Sequence, residues 1–278
     1  MKAKSRRKRP RLTLGSVLLG IFIVVAFIPF YVMILGSLKP NFAFFKIPPD
    51  LMPWGLITDN YVYVLTKTTI LDSFLNSIYI SAMITLITVF VSACAGYAFA
   101  KKRFWGRNVL FLIVMATMIL PRQILMVPNF LVAKNLNLID RLNGVVLTSI
   151  GAPFGIFLCR QFMQTLPDEL TDAATIDGCG DLGTFVRIIL PLSMPALGSL
   201  AIFSFIGGWN DFVWQNIMLT SKDNRTVPIA IAALAEKEYS MIGYQLTGAT
   251  IATVPMLIIF IFFQKYFVRG ITVGAVKG

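Results

Sequence analysis

Long stretches without a charged residue constrain this chain more than any other feature of its sequence. Residues 12–38 and 73–100 contain no Asp, Glu, Lys or Arg, and each exceeds the about 20 apolar residues that a helix needs to cross a membrane core of about 30 Å. Four further apolar stretches lie at residues 104–121, 142–159, 188–210 and 239–264. The stretch at 104–121 reaches spanning length only if Arg107 extends its guanidinium to the interface. The sequence therefore predicts an all-α membrane protein with six transmembrane helices.

The distribution of basic residues predicts the orientation of these spans. A net charge of +12 by itself suggests a nucleic-acid partner, but 56% of the residues are hydrophobic and only 14% are charged. With six spans, 16 of the 25 Lys and Arg residues lie on the side of the termini and 9 lie on the opposite side. Because cytoplasmic loops are enriched in Lys and Arg, both termini are predicted to be cytoplasmic. The charge then requires no nucleic-acid partner.

The basic N-terminal tail, residues 1–11, precedes the first apolar stretch and has two interpretations. A cleaved signal peptide or a twin-arginine signal also begins with basic residues. The apolar stretch that follows is longer than a signal h-region of about 7 to 15 residues, and no small-residue cleavage site follows it. We expect an uncleaved first span, and a single transmembrane domain over residues 1–278.

The residue types limit the chemistry of the chain. It contains no His, and its three cysteines, Cys94, Cys159 and Cys179, are widely separated. No G-x-x-x-x-G-K-[ST] sequence is present, so ATP hydrolysis by a P-loop is excluded. Buried ionisable residues suited to ion coupling are also missing from the spans, and only Arg122 and Asp211 come near them. We predict no catalytic residue, metal site or cofactor site in this chain, and any transport needs an external energy source.

The segment DGCGDLG, residues 177–183, contains a literal G-x-G-x-x-G. A dinucleotide-binding turn requires a strand before the glycines, whereas the preceding TLPDELTDAATI predicts a helix. Thr165 is predicted to cap this helix, and Gly178 to end it in a left-handed conformation. The carboxylates of Asp177 and Asp181 would repel phosphate. The sequence therefore favours a role for these glycines other than nucleotide binding.

The polar and aromatic segment GGWNDFVWQN adjoins the fifth apolar stretch. Aromatic faces beside amide and carboxylate groups suit sugars, which present an apolar face and many hydroxyls. Trp209, Asn210 and Asp211 are therefore candidates for a translocation pathway. An aromatic belt at the membrane interface is the alternative interpretation. Prolines and glycines in the later spans indicate either helix breaks along a cavity or close helix packing.

Residues 172–191, DAATIDGCGDLGTFVRIILP, resemble the coupling motif of ABC importer permeases, which is written E-A-A, two residues, D-G-A, and a later I-x-L-P. Asp172 replaces the Glu of this motif, and Cys179 replaces the Ala of its D-G-A part. The matching positions are Asp172, Ala173, Ala174, Asp177, Gly178, Ile188, Leu190 and Pro191. The segments LNSIYI, AGYAFAKKRFWGR, DNYVYVL, GGWNDF and GITVGAVKG extend the resemblance along the chain. They are similar to carbohydrate-uptake permeases, in particular the second permease of maltose-type transporters.

This resemblance implies a type I ABC importer permease architecture in a bacterial or archaeal inner membrane. It implies as partners a second homologous permease, two ATPase subunits that carry ATP and Mg, and an extracytoplasmic sugar-binding protein, beside membrane lipid. The loop at residues 165–191 would insert into a cleft of an ATPase subunit. The C-terminal tail, residues 268–278, would reach between the ATPase subunits through Gly274, Val276 and Lys277.

The function expected from these observations is ATP-driven import of a sugar or oligosaccharide by alternating access. The alternative is import of another solute, such as a glycerophosphodiester, a polyol or a polyamine. A phosphate-bearing solute would require a cation facing the cavity, and Arg122 is the near candidate. A membrane-embedded enzyme or a scaffold would leave the coupling motif unexplained.

Overall fold

The structure is a computed structural model that describes residues 14–46, 52–150, 153–237 and 241–275. Within these ranges every regular element is a helix, and no strand is present. The helices are α1 (Leu14–Ser37), α2 (Asp59–Lys67), α3 (Ile70–Lys101), α4 (Arg107–Thr117), α5 (Arg122–Asn135), α6 (Leu142–Thr148), α7 (Pro153–Gln164), α8 (Glu169–Ile176), α9 (Asp181–Leu192), α10 (Met194–Asn210), α11 (Phe212–Met218), α12 (Val227–Lys237) and α13 (Ile242–Ala275). A short 3₁₀ helix, Asn41–Phe45, follows α1.

Continuous spans account for only half of the six predicted. α1, α3 and the Ile242–Phe262 part of α13 are long and apolar enough to cross a membrane. The other three are pairs of helices that meet at a bend: α4 with α5 at 99°, α6 with α7 at 53°, and α9 with α10 at 75°. The described part of the chain therefore contains three continuous spans, or up to six if each bent pair is one span, so the count of six stays a prediction.

Proline explains the sharpest of these bends. Pro121 lies between α4 and α5 with φ −61° and ψ 129°, an extended conformation. It has no N–H group to continue a helical ladder, and its ring disfavours helical angles at the residue before it. α5 therefore begins in a new direction at Arg122, which places this cation at the elbow of the span.

The centre of the fold is α3, which packs along both α7 and α10. Small residues permit this close packing: a Cβ added at Gly96 would lie 2.4 Å from the Cβ of Cys159, and one added at Gly208 would lie 3.1 Å from the Cα of Ser81. Buried apolar side chains form three clusters along α3, near Tyr97, near Ile80 and near Ile70. α3 therefore runs through the molecule, from the end that the basic residues predict to be cytoplasmic to the opposite end.

Candidate coupling and pathway sites

The predicted coupling segment, residues 165–191, contains α8 and the turn that follows it. The helix predicted before Gly178 is present, and Gly178 has φ +77° as predicted. Its N–H donates to the carbonyl of Thr175 at 3.1 Å, and the N–H of Cys179 donates to that of Ala174 at 2.8 Å. This pair of hydrogen bonds is a Schellman ending, which requires a left-handed residue. The G-x-G-x-x-G stretch therefore follows a helix and lacks the strand of a dinucleotide-binding turn.

The predicted start of α8 is wrong. Thr165 does not cap it, because α8 begins at Glu169 with Asp168 in the cap position. The hydroxyl of Thr165 donates instead to the carbonyl of Phe162 at 2.7 Å, at the end of the preceding helix. Thr165 is therefore part of the end of α7.

Two basic residues at the end of α3 attach the segment to the core. The ammonium of Lys101 donates to the carboxylate of Asp168 at 2.6 Å and to the carbonyl of Leu166 at 2.5 Å. The hydrogen bond from Lys101 lowers the pKa of the Asp168 carboxyl below its usual value. Lys102 forms a second ion pair, with Asp181 at the start of α9. The Lys101 side chain is only 4% exposed, whereas that of Asp168 is 80% exposed, so the ion pair lies at the surface and is anchored by a buried lysine stem.

One face of α8 is directed inward and the other outward. Ala174 is buried, 3% exposed, so it packs against this chain. Ala173, by contrast, is exposed together with Asp172 and Asp177. The apolar side chains of Ile176 and Leu182 are 86% and 75% exposed. The outward direction of Ile176 follows from the helix register that the inward Ala174 sets, whereas Leu182 lies beyond the turn, in α9.

The last part of the motif lies in α9, where the helix widens. Residues Phe185–Ile189 form a π turn, in which the N–H of Leu190 reaches the carbonyl of Phe185. Pro191 would clash with the carbonyl four residues before it in a regular α-helix, and a wider turn accommodates this ring. Ile189 is fully buried in the cluster near Tyr97, while Ile188 and Leu190 are half-buried.

The Trp209 ring is not on the surface of this chain. It is 2% exposed, edge-to-face with Phe74 and stacked on Phe205, with ring centroids 5.6 and 6.0 Å away. Trp214 is also buried, and its Nε1 donates to the hydroxyl of Thr148 at 3.0 Å. Both interpretations of Trp209 made from the sequence, a sugar-stacking face and an interfacial belt residue, required an exposed ring. The structure instead gives Trp209 a packing role.

Asp211 lies at the break between α10 and α11, and its carboxylate contacts residues both at this break and at the break between α4 and α5. One carboxylate oxygen accepts from the N–H of Trp214 at 3.2 Å and caps α11. The other lies 3.5 Å from a guanidinium nitrogen of Arg122, at the elbow of α4 and α5. The Arg122 side chain is 69% exposed and that of Asp211 is 18% exposed. Asn210 is exposed beside them. The two charges that the sequence placed near the spans therefore form a pair.

A second carboxylate, Asp140, was missed by the sequence analysis. One of its oxygens accepts from the N–H groups of Thr220 and Ser221 at 2.9 and 3.0 Å and from the Ser221 hydroxyl at 3.1 Å. The amide of Asn224 donates to the Asp140 carbonyl at 2.7 Å. Burial raises the pKa of Asp140, but the hydrogen bonds from Ser221 and Thr220 outweigh it and the pKa is lowered. Asp140 thereby joins the loop before α6 to the loop after α11.

The predicted C-terminal tail is only partly described. α13 extends through Gly270 and Gly274 to Ala275, so both glycines are helical. Val276 and Lys277 lie outside the described residues.

The arrangement of these helices is the type I ABC permease fold. A bacterial ABC transporter involved in the import of the acidic polysaccharide alginate has a chain that superimposes with a TM-score of 0.81. The superposition covers 93% of this chain and 100% of that chain, at 24% sequence identity. The similarity shows that the two chains share a fold.

Sequence comparison then identifies the family. Residues 89–273 match the family described as binding-protein-dependent transport system inner membrane component, and the chain belongs to it. The arabinooligosaccharides transport system permease protein AraQ of Bacillus subtilis is 36% identical over 98% of this chain and 99% of that protein. The trehalose/maltose transport system permease protein MalG of Thermococcus litoralis is 33% identical over 98% of both chains. The chain is therefore an inner-membrane transport permease of the ABC type, as its resemblance predicted.

Proposed function

We propose that this chain is one permease subunit of an ATP-driven importer that translocates a sugar or oligosaccharide by alternating access. The observation that carries the proposal is the similarity over nearly the whole chain to permeases named for arabinooligosaccharides and for trehalose/maltose. The family description adds dependence on a binding protein. The partners are a second permease, two ATPase subunits that bind ATP and Mg, and an extracytoplasmic binding protein. The chain crosses the membrane six times, with both termini in the cytoplasm.

Energy coupling takes place at α8 and the turn that ends it. Ile176 and Leu182 present exposed apolar surface, which in a soluble loop is a contact surface for a partner. Asp172 and Asp177 are exposed nearby and can pair with basic groups of an ATPase subunit. The ion pairs from Lys101 and Lys102 transmit movement of this surface to α3, because they connect the segment directly to the central helix. Ile188, Leu190 and Pro191 continue this connection into α10.

The solute passes beside the paired helix breaks. A cation and a carboxylate at membrane depth are costly unless they face water or each other, and broken helices are tolerated where they line a cavity. Asn210, Asp211 and Arg122 provide hydroxyl-binding groups there, while Trp209 holds α10 against α3. Because Asp211 neutralises Arg122, the site favours an uncharged solute over a phosphate-bearing one. The role proposed for Gly274, Val276 and Lys277 is regulation of the ATPase subunits, and a chain shortened by residues 274–278 tests it through sugar-stimulated ATP hydrolysis.

A transport assay tests the proposal directly. The importer, reconstituted in vesicles with its binding protein, is supplied with a panel of labelled mono- and oligosaccharides, a glycerophosphodiester, a polyol and a polyamine. ATP-dependent accumulation of a saccharide is the expected result. Uptake of the other solutes with no saccharide transported would replace the sugar assignment with one of the alternatives. Uptake without ATP would contradict the whole proposal.

A further inference from the structure

A cleft lies at the end of the molecule opposite the predicted coupling segment, between α3 and the start of α6. Its volume is about 520 Å³, and its lining residues are Tyr79, Leu138, Arg141, Leu142 and Asn143. The cleft is separate from the elbow at Arg122 and from the surface of α8. None of its lining residues takes part in the transport steps described above.

The polar groups of the cleft are mainly hydrogen-bond donors. The Tyr79 hydroxyl donates to the side-chain oxygen of Asn143 at 2.5 Å, which leaves the two N–H groups of that amide available. Arg141 is exposed, and among the described residues no carboxylate forms an ion pair with it. The adjacent carboxylate of Asp140 faces Thr220 and Ser221 instead. A cation and free N–H groups that meet in one cleft suit an anion.

The helix surfaces next to the cleft are apolar. Leu86 and Phe90 lie seven and eleven residues after Tyr79 in α3, on the same helix face, and are 64% and 70% exposed. Leu147 lies one turn after Asn143 in α6 and is 52% exposed. An exposed apolar strip that ends in tyrosine and arginine is typical of a membrane–water interface. A ligand that fits both parts is anionic at one end and apolar at the other.

We propose that this cleft binds the headgroup of an anionic phospholipid. The phosphate accepts hydrogen bonds from the guanidinium of Arg141 and the amide of Asn143, and an acyl chain lies along the exposed strip of α3 and α6. Leu138 and Leu142 contact the glycerol and the first methylene groups. The site is independent of the transported solute, so the proposed function and this site can fail separately.

The chain offers a variant that removes the cation with little risk to the fold. The backbone carbonyl of Arg141 accepts from Gly144 and Val145 at the start of α6, and this contact does not involve the side chain. Arg141→Gln therefore removes the charge and keeps the backbone contact. Lys134→Gln is the matched control, because Lys134 is an exposed cation on α5 outside the cleft. Asn143→Leu removes the amide donors and is a second, independent variant.

The experiment is native mass spectrometry of the assembled importer, titrated with phosphatidylglycerol or with phosphatidylcholine. We expect wild type and Lys134→Gln to retain phosphatidylglycerol in preference to phosphatidylcholine. Arg141→Gln is expected to weaken that binding about tenfold, the effect of losing a hydrogen-bonded charge, and Asn143→Leu to weaken it less.

Three results would overturn the proposal. Equal retention of phosphatidylglycerol by wild type and Arg141→Gln would exclude this cation from lipid binding. Displacement of the lipid by millimolar inorganic phosphate, with no preference for an acyl chain, would define a free-anion site. Cross-linking of a photoreactive group at position 79 to another protein subunit, with no lipid bound, would show that protein covers the cleft.

Discussion

At the residue scale, Gly178 determines the shape of the predicted coupling surface through its backbone. A residue with a side chain at φ +77° costs about 1–2 kcal/mol, yet a Cβ at this position would meet no atom within 4 Å. We therefore expect Gly178→Ala to remain folded with a modest loss of stability. Gly178→Trp should also insert in the membrane, but its indole would occupy the space in which a partner docks. The measurements are co-purification of the ATPase subunits and sugar uptake.

The comparison of these two variants separates strain from steric exclusion. Strain alone would impair both variants equally, because both change the same dihedral angle. Exclusion impairs Gly178→Trp far more than Gly178→Ala. Normal assembly and uptake in the tryptophan variant would remove this turn from the coupling mechanism.

The pair of Arg122 and Asp211 allows a test by neutralisation. Arg122→Gln leaves a carboxylate without its partner, and Asp211→Asn leaves the cation while its side chain can still cap α11. The Asp211 side chain is only 18% exposed, and a partly buried charge that loses its partner is left uncompensated. Each single variant should lower uptake about tenfold or more, and the double variant Arg122→Gln/Asp211→Asn should recover part of it. Strictly additive losses, measured as initial uptake rates, would show that the two residues act independently.

The sequence indicated the chemistry of single residues better than their contacts. Arg122 and Asp211 were recognised individually because charges in apolar stretches are rare, but their pairing across 89 positions depends on two helix breaks. Asp140 gave no signal, since its partners lie about 80 residues away in an unremarkable loop. Trp209 was misinterpreted because its neighbours in sequence are polar, whereas its neighbours in space are Phe74 and Phe205.

At the scale of elements, α8 is held by side chains rather than by a large apolar contact. Only Ala174 of this helix is buried, so Lys101 supplies the principal attachment through Asp168 and Leu166. We expect Lys101→Met to leave the membrane helices intact and to release α8. Hydrogen exchange of residues 169–176 should become faster, and binding of the ATPase subunits should weaken. Lys134→Met, on exposed α5, is the control, and equal exchange in both variants would contradict this role of Lys101.

The loop contact made by Asp140 predicts a pH dependence. Its folded pKa is lowered from the usual 3.8, so its stabilising contribution is complete above the unfolded pKa and is lost as the pH falls through the folded pKa. Asp140→Asn should therefore be less stable than wild type at neutral pH, by about 1 kcal/mol. The difference should disappear below the folded pKa. Thermal unfolding of both proteins in detergent, from neutral to strongly acidic pH, measures this difference in stability. A difference that does not change with pH would show that the ionised form of the Asp140 carboxylate does not stabilise the fold.

At this scale the sequence predicted which segments are helical, but it did not predict where a helix breaks and changes direction. Hydropathy identified α3 nearly to its ends, because a continuous apolar stretch can satisfy its backbone only as a helix. The same criterion merged α6 with α7 within residues 142–159, since hydropathy does not record direction. It ended the third stretch at Pro121 and left α5 outside that span. Pro121 marked that break locally, but the bend of 99° depends on the packing of α5 against the cluster near Ile80.

At the scale of the whole molecule, polar attachments lie at both ends of α3. The ion pairs of Lys101 and Lys102 occupy its last turn. Near its start, Asn76 donates to the carbonyls of Asp223 and Arg225 at 2.7 and 3.0 Å. Polar contacts therefore attach α3 to loops at both of its ends, as the alternating access proposed above would require.

This geometry makes a definite prediction about membrane topology. If α3 spans the bilayer, single cysteines introduced at Leu182, beside Asp181, and at Asn224, beside Asp223, must lie on opposite sides of it. In a background without Cys94, Cys159 and Cys179, an impermeant maleimide added outside intact cells should label the Asn224→Cys protein and spare the Leu182→Cys protein. Permeabilised cells that do not express the ATPase subunits should label both, because Leu182 is 75% exposed in this chain. Labelling of Leu182→Cys from outside would reverse the orientation inferred from the basic residues, and labelling of both from outside would contradict a membrane-spanning α3.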